Sequence, residues 1–303
     1  MRYRPFGRSG AAISNLTLSL GSDALRRGAD HAREMVFSSL EAGINSYRLE
    51  SADTVLAEVV GQALGHVDRK LIGLTITLGN GDGRKGERDF SAEGMTAAID
   101  RALSVSRLGW IDAALLAEPG EHELPQSSLQ ALKALRATGR VKFLGVCGEG
   151  EVMDAYVSTG AFDILATPYH VNVPWQIRSR IRAAREQDMA IFAYDYFPES
   201  LDSERKAATV HKPKRGLFSF ASRPKIKGVA GADAFAFLHR TQAWSAEEIC
   251  LGYALTEPSI SSVLIHPRDV AHMQALAAVP ERDLPPGLAA QIEMARVAAA
   301  QAA

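Results

Sequence analysis

Three charged residues, Arg48, Glu50 and Asp53, fall within six positions, and further side chains able to move protons or hold charge stand at Glu118, Cys147, His170, Asp195 and His266. A guanidinium beside a carboxylate makes either a structural ion pair or a polarising pair, and a well-placed carboxylate or imidazole acts as general acid or base. Both readings stay open for Arg48 with Glu50 or Asp53. Tyr194 lies next to Asp195 and Tyr196, and its ring serves either as a platform for a flat ligand or as filling. His170, directly after Tyr169, is a hydrogen-bonded structural residue or a catalyst. Cys147 has no base visible nearby in sequence, which favours a small buried hydrophobe over a nucleophile. A different chemistry is concentrated between Arg205 and Ala232, where eight Lys or Arg residues, among them Lys212, Lys214 and Arg215, occur with no Asp or Glu. Such a segment binds anions or is a solvated loop. Arg268 is one more basic residue, an anion partner or the solvated start of a helix.

These residues need a frame, and the order of elements supplies one. Short apolar runs with strand character alternate with longer segments of helical period, which requires parallel strands joined by crossover helices. Eight strands are expected, at Leu16–Leu20, Ser46–Leu49, Leu71–Thr77, Ile111–Leu116, Phe143–Cys147, Ile164–Thr167, Ala190–Tyr194 and Ser262–Ile265. Leu56, Val59, Val60, Ala63 and Leu64 share one helical face, as do Leu129, Leu132 and Leu135. Ser245 and Glu248 have capping-box spacing. Tyr3–Phe6 and Ala12-Ile13 flank the turn-rich Gly7–Gly10 and read as a β-hairpin.

The fold class is therefore α/β: a (β/α)8 TIM barrel with an N-terminal β-hairpin, one domain over residues 1–303. Barrel sites lie at the C-terminal ends of the strands. Asp23, Arg48, Glu50, Asp53, Glu118, Cys147, Tyr169, His170, Asp195, Tyr196 and His266 all fall there. A long loop over about 197–243 interrupts the regular spacing, and a tail helix is expected over about 285–303.

Bulk properties narrow the partners. The net charge is −1, from 34 basic and 35 acidic residues, so no global field draws the chain to nucleic acid or to an anionic membrane. No apolar run approaches a membrane span and the first residues lack a signal-peptide pattern, so a cytoplasmic location is expected. The two cysteines, Cys147 and Cys250, have neither disulfide-framework nor metal-ligand spacing. A small-molecule ligand is the expected partner, with a protein partner as the alternative.

Several segments together resemble one family. Tyr3–Gly10 followed by Ile13–Gly21, Glu41–Asn45 before the second strand, Arg107–Asp112 at the fourth, Gly139–Val146 at the fifth, then Phe162-Asp163, Pro168-Tyr169, Ala193-Tyr194 and Ser262–Ile265 run in order along nearly the whole chain. They resemble the aldo-keto reductase superfamily. The resemblance implies an NADP(H) cofactor and a catalytic tetrad: an Asp ending strand two, a Tyr five residues on as general acid, a Lys after strand three and a His after strand four. In that scheme hydride passes to a carbonyl carbon while the Tyr, tuned by the Lys-Asp pair, protonates the oxygen.

Counted from Gly43-Ile44-Asn45, the four positions hold Arg48, Asp53, Ile76 or Thr77, and Ala117. The residues that hold the nicotinamide amide in the family become Cys147-Gly148 and Ala166, and Ile265-His266 replaces Pro-Gly. Tyr194 aligns with the ring-stacking aromatic and Arg268 with the residue meeting the 2′-phosphate, while Lys212, Lys214 and Arg215 fall in the segment that crosses the pyrophosphate. His266 obstructs the phosphate there or donates to it. Three expectations follow: an NADP(H)-linked oxidoreductase with altered or weak carbonyl reduction; a non-catalytic barrel, a pseudoenzyme, acting as a ligand-sensing or partner-binding module; or an enzyme of another class acting on an anionic substrate.

Overall fold

The computed structural model describes residues 1–7, 10–80, 88–120, 122–201 and 232–301. Strands β1 (Tyr3–Pro5) and β2 (Ala12–Ser14) pair antiparallel, with Tyr3 opposite Ser14. Eight further strands close into a barrel: β3 (Leu16–Leu20), β4 (Ser46–Leu49), β5 (Gly73–Leu78), β6 (Ile111–Ala117), β7 (Val141–Cys147), β8 (Ile164–Pro168), β9 (Ala190–Tyr194) and β10 (Ser262–Ile265). Every neighbouring pair is parallel, and β10 returns to β3 to complete the ring. The expected (β/α)8 barrel with its hairpin is what forms.

The third barrel strand begins at Gly73 rather than Leu71. Asp68 accepts a hydrogen bond from the Lys70 amide and caps a 3-10 turn over Arg69–Leu71, which leaves Leu71 64% exposed. Pairing starts where the Gly73 amide donates to the Asn45 carbonyl at 2.8 Å. An apolar residue thus belongs to the turn because the local cap outweighs its strand propensity.

Alternate residues of each strand point into and out of the barrel. Outward residues such as Leu49, Ile76 and Leu116 join the helices in the larger core. Inward residues build a second column: Phe6, Ile13, Ala113, Leu115, Ile164, Ala166, Phe192 and Leu264, with Phe143 at its base and Cys147 and Tyr194 at its top. Phe6 closes the base, its ring stacked on Phe192 at 5.8 Å and edge-on to Phe143 at 5.2 Å. The column leaves the strand ends opposite the hairpin as the place for a pocket.

Helices cover the outside. Thr54–Leu64 packs against Ala92–Ser106 so closely that a Cβ on Gly61 would lie 2.2 Å from the Ser106 carbonyl oxygen. Ala246–Thr256 opens with the capping box read from the sequence: Ser245 Oγ accepts from the Glu248 amide, and Glu248 accepts from the Ser245 amide. Leu288–Gln301 forms the tail helix. Among the described residues no helix is long and apolar enough to cross a membrane.

Candidate functional site

A cavity of about 520 Å³ opens at the C-terminal ends of the strands. Arg48 forms part of its floor. Its side chain leaves β4 inward and is 7% exposed. Nε donates to Thr77 Oγ1 at 3.0 Å and Nη2 to Cys147 Sγ at 3.6 Å. Thr77, not Ile76, therefore faces Arg48; Ile76 points outward into the helix-facing core. Among the described residues no carboxylate lies within ion-pair distance of Arg48.

That corrects the expectation of an Arg48 pair with Glu50 or Asp53. Glu50, just past the end of β4, turns instead toward β10 and accepts from His266 Nε2 and, at 3.1 Å, from Ser19 Oγ. Burial by itself raises the pKa of a carboxyl, but the His266 bond, the positive charges of His266 and Arg48 and the Ser19 bond more than offset it and hold Glu50 at about 2. Asp53 is spent locally. It caps Thr54–Leu64, accepting from the amides of Val55 at 2.8 Å and Leu56 at 3.0 Å.

Two residues after the strands shape the rim. Glu118, at φ +44, donates its amide to the Cys147 carbonyl at 2.7 Å, and its side chain accepts from the Gly150 amide. Gly148 lies beneath it, where an added Cβ would come within 2.7 Å of Glu118 Cβ. Arg88 donates to the carbonyls of Ala117 and Glu118 and pairs with Glu123 at 3.2 Å. Glu50, Glu118 and Arg88 thus already have partners.

Cys147 and Tyr194 face the same space from β7 and β9. Burial raises the Cys147 thiol, with Arg48 opposing and Glu118 and Glu50 adding, so the neutral form dominates. Burial likewise raises the Tyr194 phenol, helped by Cys147, Glu149 and Glu118. Asp195, at φ +51, is raised by burial and by Glu149 and Glu199 against the pull of His266.

His170 lies outside this cavity. Its Nδ1 accepts from the Asn172 amide at 3.2 Å, and burial together with the charge of Arg178 lowers it to about 4. The unfolded chain, with a value near 6.5, takes up this proton first, so His170 weakens the fold as pH falls from about 6.5 to about 4. His170→Gln should flatten the pH dependence of the urea midpoint across that window; an unchanged slope would show that His170 is not held neutral.

Beyond Asp195 and His266 a second hollow runs past Arg268 and His272, and a third continues to Trp244. Its wall is ordered: Tyr196 Oη donates to Glu247 Oε1 at 2.9 Å, Glu247 Oε2 meets His272 Nε2 at 3.1 Å, and the Arg268 amide donates to His272 Nδ1 at 3.1 Å. The exposed Arg268 guanidinium has no carboxylate within ion-pair distance among the described residues. Lys212, Lys214 and Arg215 lie outside the described residues.

The structure therefore gathers Arg48, Glu50, Glu118, Asp195, Tyr194 and His266 around one opening, sets Arg268 beside it, and leaves Asp53 and His170 elsewhere. Sequence reasoning missed Asn80 and Arg88, which line the opening. Asn80 follows β5 by two residues and meets the strand-end rule, whereas Arg88 arrives from a connecting segment with no motif to mark it.

Comparison with known proteins adds the ancestry. The chain is similar to the holo form of aldo-keto reductase AKR11C1 from Bacillus halodurans, with a TM-score of 0.75 and 20% identity over 97% of this chain and 96% of that one. That likeness concerns the fold. A search of curated proteins gives no significant match. The model of the aldo/keto reductase family, however, matches residues 17–296, which takes in all eight barrel strands apart from the first residue of β3. The chain belongs to the aldo/keto reductase family.

Proposed function

We propose that this barrel binds NADP(H) and has lost the ordinary carbonyl reduction of its family. One observation carries the reading: where the family's proton-delivery groups are expected, Arg48 is hydrogen-bonded to Thr77, Asp53 caps a helix and Ala117 has no polar side chain. A guanidinium stays protonated at any ordinary pH and cannot hand a proton to a developing alkoxide. Cys147 and Tyr194 are raised and held neutral, without the Lys-Asp pair that makes the family's phenol an effective acid.

The residues present fit the cofactor unequally along its length. Tyr194 offers a half-buried ring beside the cavity, and Arg268 a guanidinium free to pair with a phosphate. Cys147, Gly148 and Ala166 provide no amide or hydroxyl side chain for the carboxamide. Bound cofactor supplies a hydride; the chain's part is to stack the ring on Tyr194 and to hold the adenosine phosphate on Arg268. Lys212, Lys214 and Arg215 belong to the same proposal as partners of the pyrophosphate.

Fluorescence titration with NADPH tests this. Saturable quenching is expected, and Arg268→Gln should weaken NADPH by about tenfold or more while barely affecting NADH, since a charge-assisted phosphate contact is lost. Turnover of simple aldehydes should fall about 10²–10⁴-fold below that of an intact tetrad. Absence of quenching, or equal losses for both nucleotides, would sink the assignment. A second reading, a ligand-sensing barrel without turnover, is favoured by the buried Arg48 guanidinium, which has no ion-pair partner among the described residues. NADPH oxidation that disappears in Tyr194→Ala would count against it.

A further inference from the structure

We infer that the barrel mouth is a binding site for a small monocarboxylate, anchored by Arg48. This goes beyond the cofactor reading and does not depend on it. The Arg48 side chain is 7% exposed and lines the cavity. Two of the five N–H donors that a guanidinium carries are used, one by Thr77 and one by the weak sulfur acceptor of Cys147. The remaining donors have no protein acceptor among the described residues. A buried guanidinium that feels Glu50 only across a gap and makes no direct ion pair is incompletely compensated, and an arriving anion relieves that cost.

The surroundings choose the class of anion. Two of the rim carboxylates are engaged elsewhere, Glu50 by His266 and Ser19 and Glu118 by the Gly150 amide, and the third, Asp195, makes no ion pair with Arg48. Neither Glu50 nor Glu118 can turn to Arg48 without giving up those bonds. Arg88 is tied to two carbonyls and Glu123, and His266 to Glu50, so Arg48 supplies the one positive charge without an ion pair among the described lining residues. A single negative charge matches it. A dianion such as phosphate would face the fields of Glu50, Glu118 and Asp195 with no second unpaired cation among the described lining residues. The planar guanidinium edge left free suits the two oxygens of a carboxylate. Ala117, Cys147 and the ring of Tyr194 then present apolar surface to a compact body. Thr77 and Cys147 hold the guanidinium in place, which limits the ordering cost of binding.

Titration calorimetry of the full chain without cofactor, using benzoate, benzamide and inorganic phosphate, tests the site. Benzoate should bind at least about tenfold more tightly than benzamide, the ratio a charge-assisted bidentate contact supports. Arg48→Lys should keep part of that preference, because an ammonium supplies charge without the fork. Arg48→Met should abolish it. Benzoate should also slow labelling of Cys147 by N-ethylmaleimide, which locates the occupant even where Arg48→Met fails to fold. Equal binding of benzoate and benzamide, no benzoate binding, phosphate binding tighter than benzoate, a preference surviving in Arg48→Met, or unprotected Cys147 would each overturn the inference. Because no nucleotide is present, failure here is separate from failure of the NADPH titration.

Discussion

Asp112→Ala is expected to destabilise the barrel by about 3–5 kcal/mol, the cost of leaving a buried partner charge uncompensated. Asp112, second residue of β6, is buried at the hairpin end of the barrel and does four things at once. Its Oδ2 accepts from Arg69 Nη2 at 2.6 Å and from the Leu74 amide at 2.9 Å; its Oδ1 accepts from Trp110 Nε1 at 3.0 Å and from Lys142 Nζ at 3.1 Å. Arg69 and Lys142 also lie over the Trp110 ring, at 4.5 and 4.2 Å from its centre. Removing one carboxylate thus leaves two cations on one indole.

Arg69 keeps its bonds to the carbonyls of Leu108, Ile72 and Trp110, which places the loss at the lower end of that range. Asp112→Asn, which preserves shape and some acceptor capacity, should fall between alanine and wild type. Urea midpoints of the three proteins measure the series. A loss below about 1 kcal/mol in Asp112→Ala would mean that the cluster behaves as a surface ion pair.

Gly61→Ala gives a prediction whose sign is informative. Helix propensity alone makes alanine better than glycine by up to about 1 kcal/mol. Packing says the reverse. A Cβ at position 61 would meet the backbone of Ser106, 2.2 Å from its oxygen and 2.6 Å from its Cα, and no side chain can rotate away. The two helices must separate, with an overpacking cost of about 1–3 kcal/mol or more. Denaturant unfolding should show Gly61→Ala as the less stable protein; a stabilised variant would mean that the helices part freely.

The barrel was legible because its signals are local and repeated. Eight strand positions, the Ser245–Glu248 cap and the hairpin each rest on a few neighbouring residues, and each was found within two residues of its place. The Asp53 cap was equally local, yet a carboxylate at a strand end invites a catalytic reading, and only the bonds to Val55 and Leu56 decide. The pairing of charges was not legible. Glu50 meets His266 across 216 positions of chain and passes over Arg48 two residues away. The reason is geometric: the two side chains leave the strand end toward different neighbours, Arg48 toward β5 and β7 and Glu50 toward β3 and β10. Residue types announced a charged rim; which charge stays without an ion pair depends on where the fold aims each side chain.

Phe6, stacked into the base of the inner column, makes the barrel a vessel with one open end. An occupant at Arg48 and another along Tyr194 and Arg268 would exchange with solvent by the same route, because the hollows share Asp195 and His266 as a common wall. Each would then obstruct the passage of the other. The shared route couples their residence times, over and above the competition of the two occupants for the ring of Tyr194.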